Sequence, residues 1–279
     1  MGNVIQTNVS SLNAQRNLTR TNISLGETFQ RLSSGFRINS AKDDAAGLQI
    51  ANQLSSQIRG LTVAIRNAND GLSVAQVAEG AQQEITNILQ RMRELALSAA
   101  NGTTSDSGTE KQALDAEFQA LKAEITRISE STRFGNTNLL NVTGDFSRTL
   151  QVGTTSAAAD QITITISDIG GLNAIDGTIG SITTQALAQG VLANLDTDIT
   201  AIDTNRAALG AIQNRLTSTI ANLSNVIENA SAARSRLQDA DYALETSNLA
   251  KNQVLQQAGL SVLSQANAQS QSVLSLLQG

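Results

Sequence analysis

LQIANQLSSQIRGLTVAIRNANDGLSVA, residues 48–75, carries Leu54, Ile58, Leu61, Ile65, Ala68, Leu72 and Ala75 at alternating steps of 4 and 3. Apolar residues recurring every 3.5 positions keep one seam of a helix facing a partner helix, which is the pattern of a coiled coil. The phase slips around Ala78–Gly80 and resumes at Ile85, Ile88, Met92 and Leu95. A helix over about 45–100 is roughly 80 Å long at 1.5 Å per residue, a length that suits a rod rather than a compact globule.

On the N-terminal side, Asn3–Phe36 reads as a further helix with Leu25, Phe29, Leu32 and Phe36 on one stripe. Ser33-Ser34-Gly35 weakens it, and the polar segment Arg37–Gly47 reads as irregular or partly helical. On the other side, NGTTSDSG (101–108) is a turn by composition. A shorter helix follows with Leu114, Phe118, Leu121, Ile125 and Ile128 on one face. It ends near Arg133, where Phe134-Gly135-Asn136 turns the chain, so an antiparallel helix hairpin is expected.

Residues 140–185 change character. Leu150 and Val152, then Ile162, Ile164 and Ile166, alternate with polar neighbours, the period-two pattern of a β-hairpin and the only β-like segment. From Gln185 the helical pattern returns through Leu195, Ile199, Ile202, Leu209, Leu216, Ile220, Leu223, Ile227 and Ala230, and runs almost to the end. The last helix is apolar on one face, ending in Val273, Leu274, Leu276 and Leu277. The expected fold is mainly α: a long helical coiled-coil rod with a small β-hairpin, its termini paired as antiparallel arms of one hairpin-like chain. Arms of this kind have apolar surface that no internal core covers, and self-association is the natural way to bury it.

Composition excludes most chemistry. The 279 residues contain no Pro, Cys, Trp or His, and aromatics are only 2% although hydrophobic residues reach 40%. Without His or Cys there is no Ser-His-Asp or Cys-His system, no imidazole or thiolate metal site and no disulfide. Asp43, Asp44, Asp70, Asp239 and Asp241 read as solvated acids, since Asp239-Ala240-Asp241 is too short for a calcium loop. No glycine-rich phosphate loop is present, and the net charge of −5 argues against a nucleic-acid partner. Polar residues interrupt every apolar run before the ~20 residues that a membrane span needs. No cleavable signal pattern stands at the N-terminus. No cofactor is expected, and no enzymatic activity.

Five segments strongly resemble bacterial flagellin: LSSGFRINSAKDDAAG (32–47), ANDGLSVAQVAEG (68–80), LQRMRELA (89–96), ARSRLQDADYA (233–243) and LQQAGLSVLSQAN (255–267). The resemblance covers about 1–140 and 190–279. It implies a structural subunit that polymerises into the flagellar filament for swimming motility, secreted through the hollow flagellum without a signal peptide. Residues 1–45 and 231–279 then form the terminal coiled-coil inner core. Residues 46–230 form the helical rod domain, with the hairpin at about 143–185 and no outer variable domains. The spoke region maps to about 39–57.

By the same resemblance, inner-core assembly falls to Leu25, Phe29, Leu32, Phe36, Leu255, Val262, Leu263, Val273, Leu274 and Leu277. A host Toll-like receptor is a ligand partner of some flagellins, and the residues matching that motif are Gln90, Arg91, Leu95 and Glu117, with Leu195 and Ile199 as conservative departures on the C-terminal arm. The implied partners are further copies of the chain, an export chaperone, and filament cap and junction proteins. A hook–filament junction protein is the alternative reading within the same assembly.

Overall fold

The computed structural model describes residues 7–103, 105–106, 108–141 and 144–278, with side chains as far as Ala268. The chain divides into two compact units, Met1–Ser56 with Asn229–Gly279, and Gln57–Glu228.

The first unit begins with α1 (Val9–Ser34), whose free N-terminal amide at Ser11 is capped by the Asn8 side chain at 3.0 Å. Gly35 ends α1 in the left-handed region at φ +75, and its N–H donates to the Arg31 carbonyl at 2.8 Å. A side chain at that φ is strained, so glycine is the natural stop. Phe36 and Asp239 then form an isolated antiparallel bridge. The Arg37 N–H donates to the Gln238 carbonyl, and the Ala240 N–H to the Gly35 carbonyl.

The polar segment that follows is a turn rather than helix. The Asp43 carboxylate accepts from the Asn39 and Ser40 amides and the Ser40 hydroxyl, and these bonds, Ser40's first, hold its pKa below the ordinary carboxylate value. Asp44 accepts from the Gly47 N–H at 2.9 Å and opens α2 (Ala45–Ala99), three residues ahead of Leu48. At the C-terminal side, α5 (Gln185–Gln238) and α6 (Tyr242–Gln278) are separate helices. The expected unbroken run from Gln185 is therefore interrupted at Asp239–Asp241, where the backbone bonds across to Gly35–Phe36 instead of continuing its own helix.

In the second unit the buried positions of α2 step by 3 and 4 from Leu61 to Ala99 without a fault, passing through Ala75, Ala78, Gln82, Ile85 and Leu89. The phase slip expected at Ala78–Gly80 does not occur. A polar residue, Gln82, occupies the seam and hides the repeat from a count of apolar letters. In α5, Ala188, Leu195, Ile202, Leu209 and Leu216 recur every seven residues in the same core. Between them in sequence lies α3 (Thr109–Ser131), which contributes Phe118 and Ile125, both fully buried.

Two small sheets complete this unit. β1 (Arg133–Phe134) pairs with β2 (Thr137–Asn138) around Gly135 at φ +60, so the segment expected to be only a turn is a second hairpin. Strands of two residues are too short to show alternation. β3 (Phe146–Gln151) and β4 (Gln161–Ile166) pair antiparallel, with Phe146 opposite Ile166 and Gln151 opposite Gln161. Ile162, Ile164 and Ile166 face inward and Thr163 and Thr165 outward, as the alternation predicts. Leu150 and Ile164 lie over Gly71 of α2, where any Cβ would collide with them. A short helix, α4 (Asn173–Asp176), follows; Asp198 caps it by accepting from the Asn173 and Ala174 amides at 3.0 and 2.9 Å.

Gln82 is 0% exposed, and neither its amide nitrogen nor its oxygen has a partner among the described residues. An unsatisfied buried polar atom costs about 1–3 kcal/mol. Gln82→Leu is therefore expected to raise the stability of this unit by about 2 kcal/mol, read as a higher thermal midpoint in circular dichroism. An unchanged or lower midpoint would contradict this reading of the orphaned amide.

Candidate assembly surface

Helices α1 and α6 lie antiparallel: Ser11 meets Asn267, Asn22 meets Gln256, and Arg31 meets Glu245. The most buried positions of α1 step through Ser11, Ala14, Leu18, Thr21, Leu25 and Thr28. Those of α6 step through Glu245, Leu249, Asn252, Gln256, Gly259 and Leu263. Both series advance by 3 and 4, so the pair is a coiled coil with an unusual content. Its seam is made largely of small and hydrogen-bonding residues.

The large apolar side chains sit elsewhere on these helices. Phe29 is 51% exposed, Leu255 47% and Val262 55%. Val9, Leu12, Ile23 and Phe36 on the α1 side, and Leu244, Val254 and Leu260 on α6, are likewise exposed. Of the expected assembly residues, Leu25, Leu32 and Leu263 are half-buried, whereas Phe29, Phe36, Leu255 and Val262 face solvent. Leu25, Phe29, Leu32 and Phe36 are thus not one buried stripe. They divide between the seam and the open face. Val273, Leu274 and Leu277 lie outside the described side chains. An isolated soluble chain rarely leaves so much aliphatic and aromatic surface uncovered along two adjacent helices.

Sequence reasoning missed the polar contacts that join the helices. The Arg31 guanidinium donates to the Glu245 carboxylate at 3.1 Å, Gln256 to Asn22 at 2.9 Å, Ser11 to Asn267 at 2.8 Å, and Asn8 to the Ala266 carbonyl at 2.8 Å. One signal was available. Glu245 and Lys251 are the only charged residues from Tyr242 to the C-terminus, and an acid in so neutral a helix invites a search for its partner.

The second unit places the other expected residues. Arg91 on α2 donates to Glu117 on α3 at 2.9 Å and to Glu94 at 3.0 Å. The hydrogen bonds to Glu94, then Glu117, raise its pKa. Gln90, Arg91 and Glu117 form an exposed polar rim. Leu95 is 3% and Leu195 0% exposed, both in the core, and Ile199 is partly buried against it. Beside them Arg93 pairs with Asp196 at 2.7 Å. No helix of the described residues is long and apolar enough to cross a membrane, and none of their acids cluster as a metal site would.

Comparison with known proteins matches these elements. Residues 5–145 fit the sequence model of the bacterial flagellin N-terminal helical region, and residues 192–277 that of the bacterial flagellin C-terminal helical region. The chain is 37% identical to Flagellin B of Vibrio anguillarum over 375 aligned positions, covering 98% of this chain and 99% of that protein. Flagellin A of Vibrio cholerae is 37% identical over 377 positions with the same coverage. Polar flagellin F of Vibrio parahaemolyticus is 37% identical over 380, covering 99% of this chain and 100% of that one. These alignments are longer than the 279 residues of this chain, so the relatives carry segments with no counterpart here. Among solved structures, the crystal structure of Bacillus cereus flagellin is similar at TM-score 0.50 and 34% identity, covering 57% of this chain and 88% of that one.

Proposed function

The chain belongs to the bacterial flagellin family and is a structural subunit of the flagellar filament rather than an enzyme; from that premise we propose that α1 and α6 are the surface through which copies polymerise. The supporting observation is the turning outward of Phe29, Phe36, Leu255 and Val262 from a polar intramolecular seam. In this reading residues 1–45 and 231–279 form the inner core of the filament. Residues 46–230 form the helical rod domain with its β-hairpin, without outer variable domains. The subunit is secreted and assembles outside the cell, and its further partners are an export chaperone, the filament cap and the junction proteins. The family members it matches over their whole length are named as flagellins, which does not favour the hook–filament junction alternative.

Purified chain is expected to form long filaments in sedimentation and electron microscopy. A chain lacking roughly the first 40 and last 45 residues is expected to stay a folded helical monomer at every concentration. Filaments from the truncated chain would place the assembly surface elsewhere.

We also propose that the rim of Gln90, Arg91 and Glu117 is what a host Toll-like receptor meets on the free subunit, supported from the core by Leu95 and Leu195 with Ile199 at its margin. The truncated chain keeps all six residues and is expected to bind the receptor ectodomain. Failure to bind would remove the rim as a sufficient contact.

A further inference from the structure

We infer that the Arg31–Glu245 pair sets the register of α1 against α6, and with it the line of exposed apolar side chains that a second copy meets; the second half of this inference rests on the filament reading above. Glu245 is almost fully buried and its carboxylate lies 3.1 Å from the Arg31 guanidinium. The rest of the seam is uncharged: Leu249, Asn252, Gln256, Gly259 and Leu263 of α6 run against Ser11, Ala14, Leu18, Thr21, Leu25 and Thr28 of α1. Leucines and small or amide side chains that recur at the same steps of 3 and 4 discriminate weakly between one heptad register and the next. A single charge pair with a buried acid and a half-buried base does discriminate, because a slip strands the acid without its cation.

The neighbouring contacts do not supply that discrimination. The Tyr242 hydroxyl donates to the Leu32 carbonyl at 3.2 Å, and Ala240 N–H to the Gly35 carbonyl at 2.9 Å. These bonds address the backbone and accept any residue opposite. Among the described residues, Arg31 and Glu245 are the pair that reads side-chain identity across the two helices at this end. Each also sits where its helix favours it, Arg31 in the last turn of α1 and Glu245 in the first turn of α6.

Phe29, Phe36, Tyr242 and Leu244, all exposed, occupy the same end of the two helices. Three of them are among the chain's six aromatic residues, a residue class enriched at interface hot spots. A slip of one heptad would move Leu244 past Phe29 by about 10 Å. The patch seen by the next copy would be broken.

Two measurements on the full chain test this. The sequence has no cysteine, so Gln15→Cys with Ser261→Cys, both exposed and on opposite helices, accepts a pair of spin labels without background. One narrow distance is expected with Arg31 and Glu245 in place. With Arg31→Gln or Glu245→Gln, a second population at a longer distance is expected, from a slip of about 10 Å along the helix axis. An unchanged single distance overturns the inference whether or not the chain polymerises, which keeps it separate from failure of the filament reading.

The critical concentration for polymerisation on wild-type seeds is the second readout. It is expected to rise at least about tenfold in either neutral variant, with Arg31→Lys between them and the wild type. The double exchange Arg31→Glu with Glu245→Arg is expected to outperform either of its single charge reversals. It should fall short of wild type, because each charge then opposes its helix end. A double exchange no better than its parents would show a merely structural role and overturn the inference.

Discussion

Replacing Phe29 and Leu255 together with serine is expected to raise the critical concentration for filament formation at least a hundredfold while leaving the melting of the monomer in place. Both side chains are about half exposed in the isolated chain. A half-exposed Phe still has about 100 Å² to bury, and Leu somewhat less, which at about 25 cal/mol per Å² amounts to about 4 kcal/mol per subunit. A factor of ten in affinity needs about 1.4 kcal/mol, so a hundredfold loss is a conservative reading of that sum. Substitutions at exposed positions outside special backbone geometry usually change fold stability by less than about 0.5 kcal/mol. The two readouts should separate cleanly, in sedimentation and in circular dichroism. If the double variant polymerises at the wild-type concentration, the outward faces of α1 and α6 are not the assembly surface.

The second large effect lies in the helical core. Phe118 is fully buried and belongs to the same cluster as Leu89, Met92 and Leu195. It joins α3 to the core that α2 and α5 build, and no other aromatic residue is fully buried among the described residues. Phe118→Ala removes its transfer free energy and leaves a cavity, for which about 3–5 kcal/mol is the usual loss. For a unit of this size that corresponds to a fall of about 10 °C in thermal midpoint. Polymerisation below the new midpoint is expected to persist, because Phe118 lies in the unit that does not contain α1 and α6. A drop of under about 1 kcal/mol would mean that the site collapses to fill the space.

The contrast between these two positions shows what the sequence made legible. Phe118 was identified as core from its place among Leu114, Leu121 and Ile125, since the helix has only one apolar face to offer. The long repeats of α2 and α5 were legible for the same reason. Gln82 obscured one turn of the repeat, because periodicity was read from apolar residues and the seam position there is polar.

At the termini that same reading could not assign faces. Leu25 and Leu32 belong to the seam, Phe29 and Phe36 to the open side, yet all four fall on one pattern of steps. The seam of α1 and α6 interleaves leucines with serine, threonine, asparagine and glutamine, and those polar positions break the periodic hydrophobic signal. Their pairing depends on partners more than 200 positions away, as in Ser11 with Asn267. The β1–β2 hairpin was missed because two residues cannot show alternation. The break at Asp239–Asp241 was missed because its backbone is satisfied by a distant segment rather than by a local turn signal.

The pairing of α1 with α6 also dictates when it can form. Arg31 and Glu245 are 214 residues apart in sequence, and bringing such distant points together from an unfolded chain forfeits the entropy of the whole intervening loop. Folding of residues 57–228 removes most of that penalty, since Leu61 and Ala64 pack against Leu223 and so hold the two exits of that unit side by side. The local contacts of the long helices are expected to form early, and closure of the termini last. A subunit at that penultimate stage has a finished body and two uncommitted ends. The outward faces that carry Phe29 and Leu255 come together only when those ends close, so the last step in folding sets the moment at which a subunit is able to join the polymer.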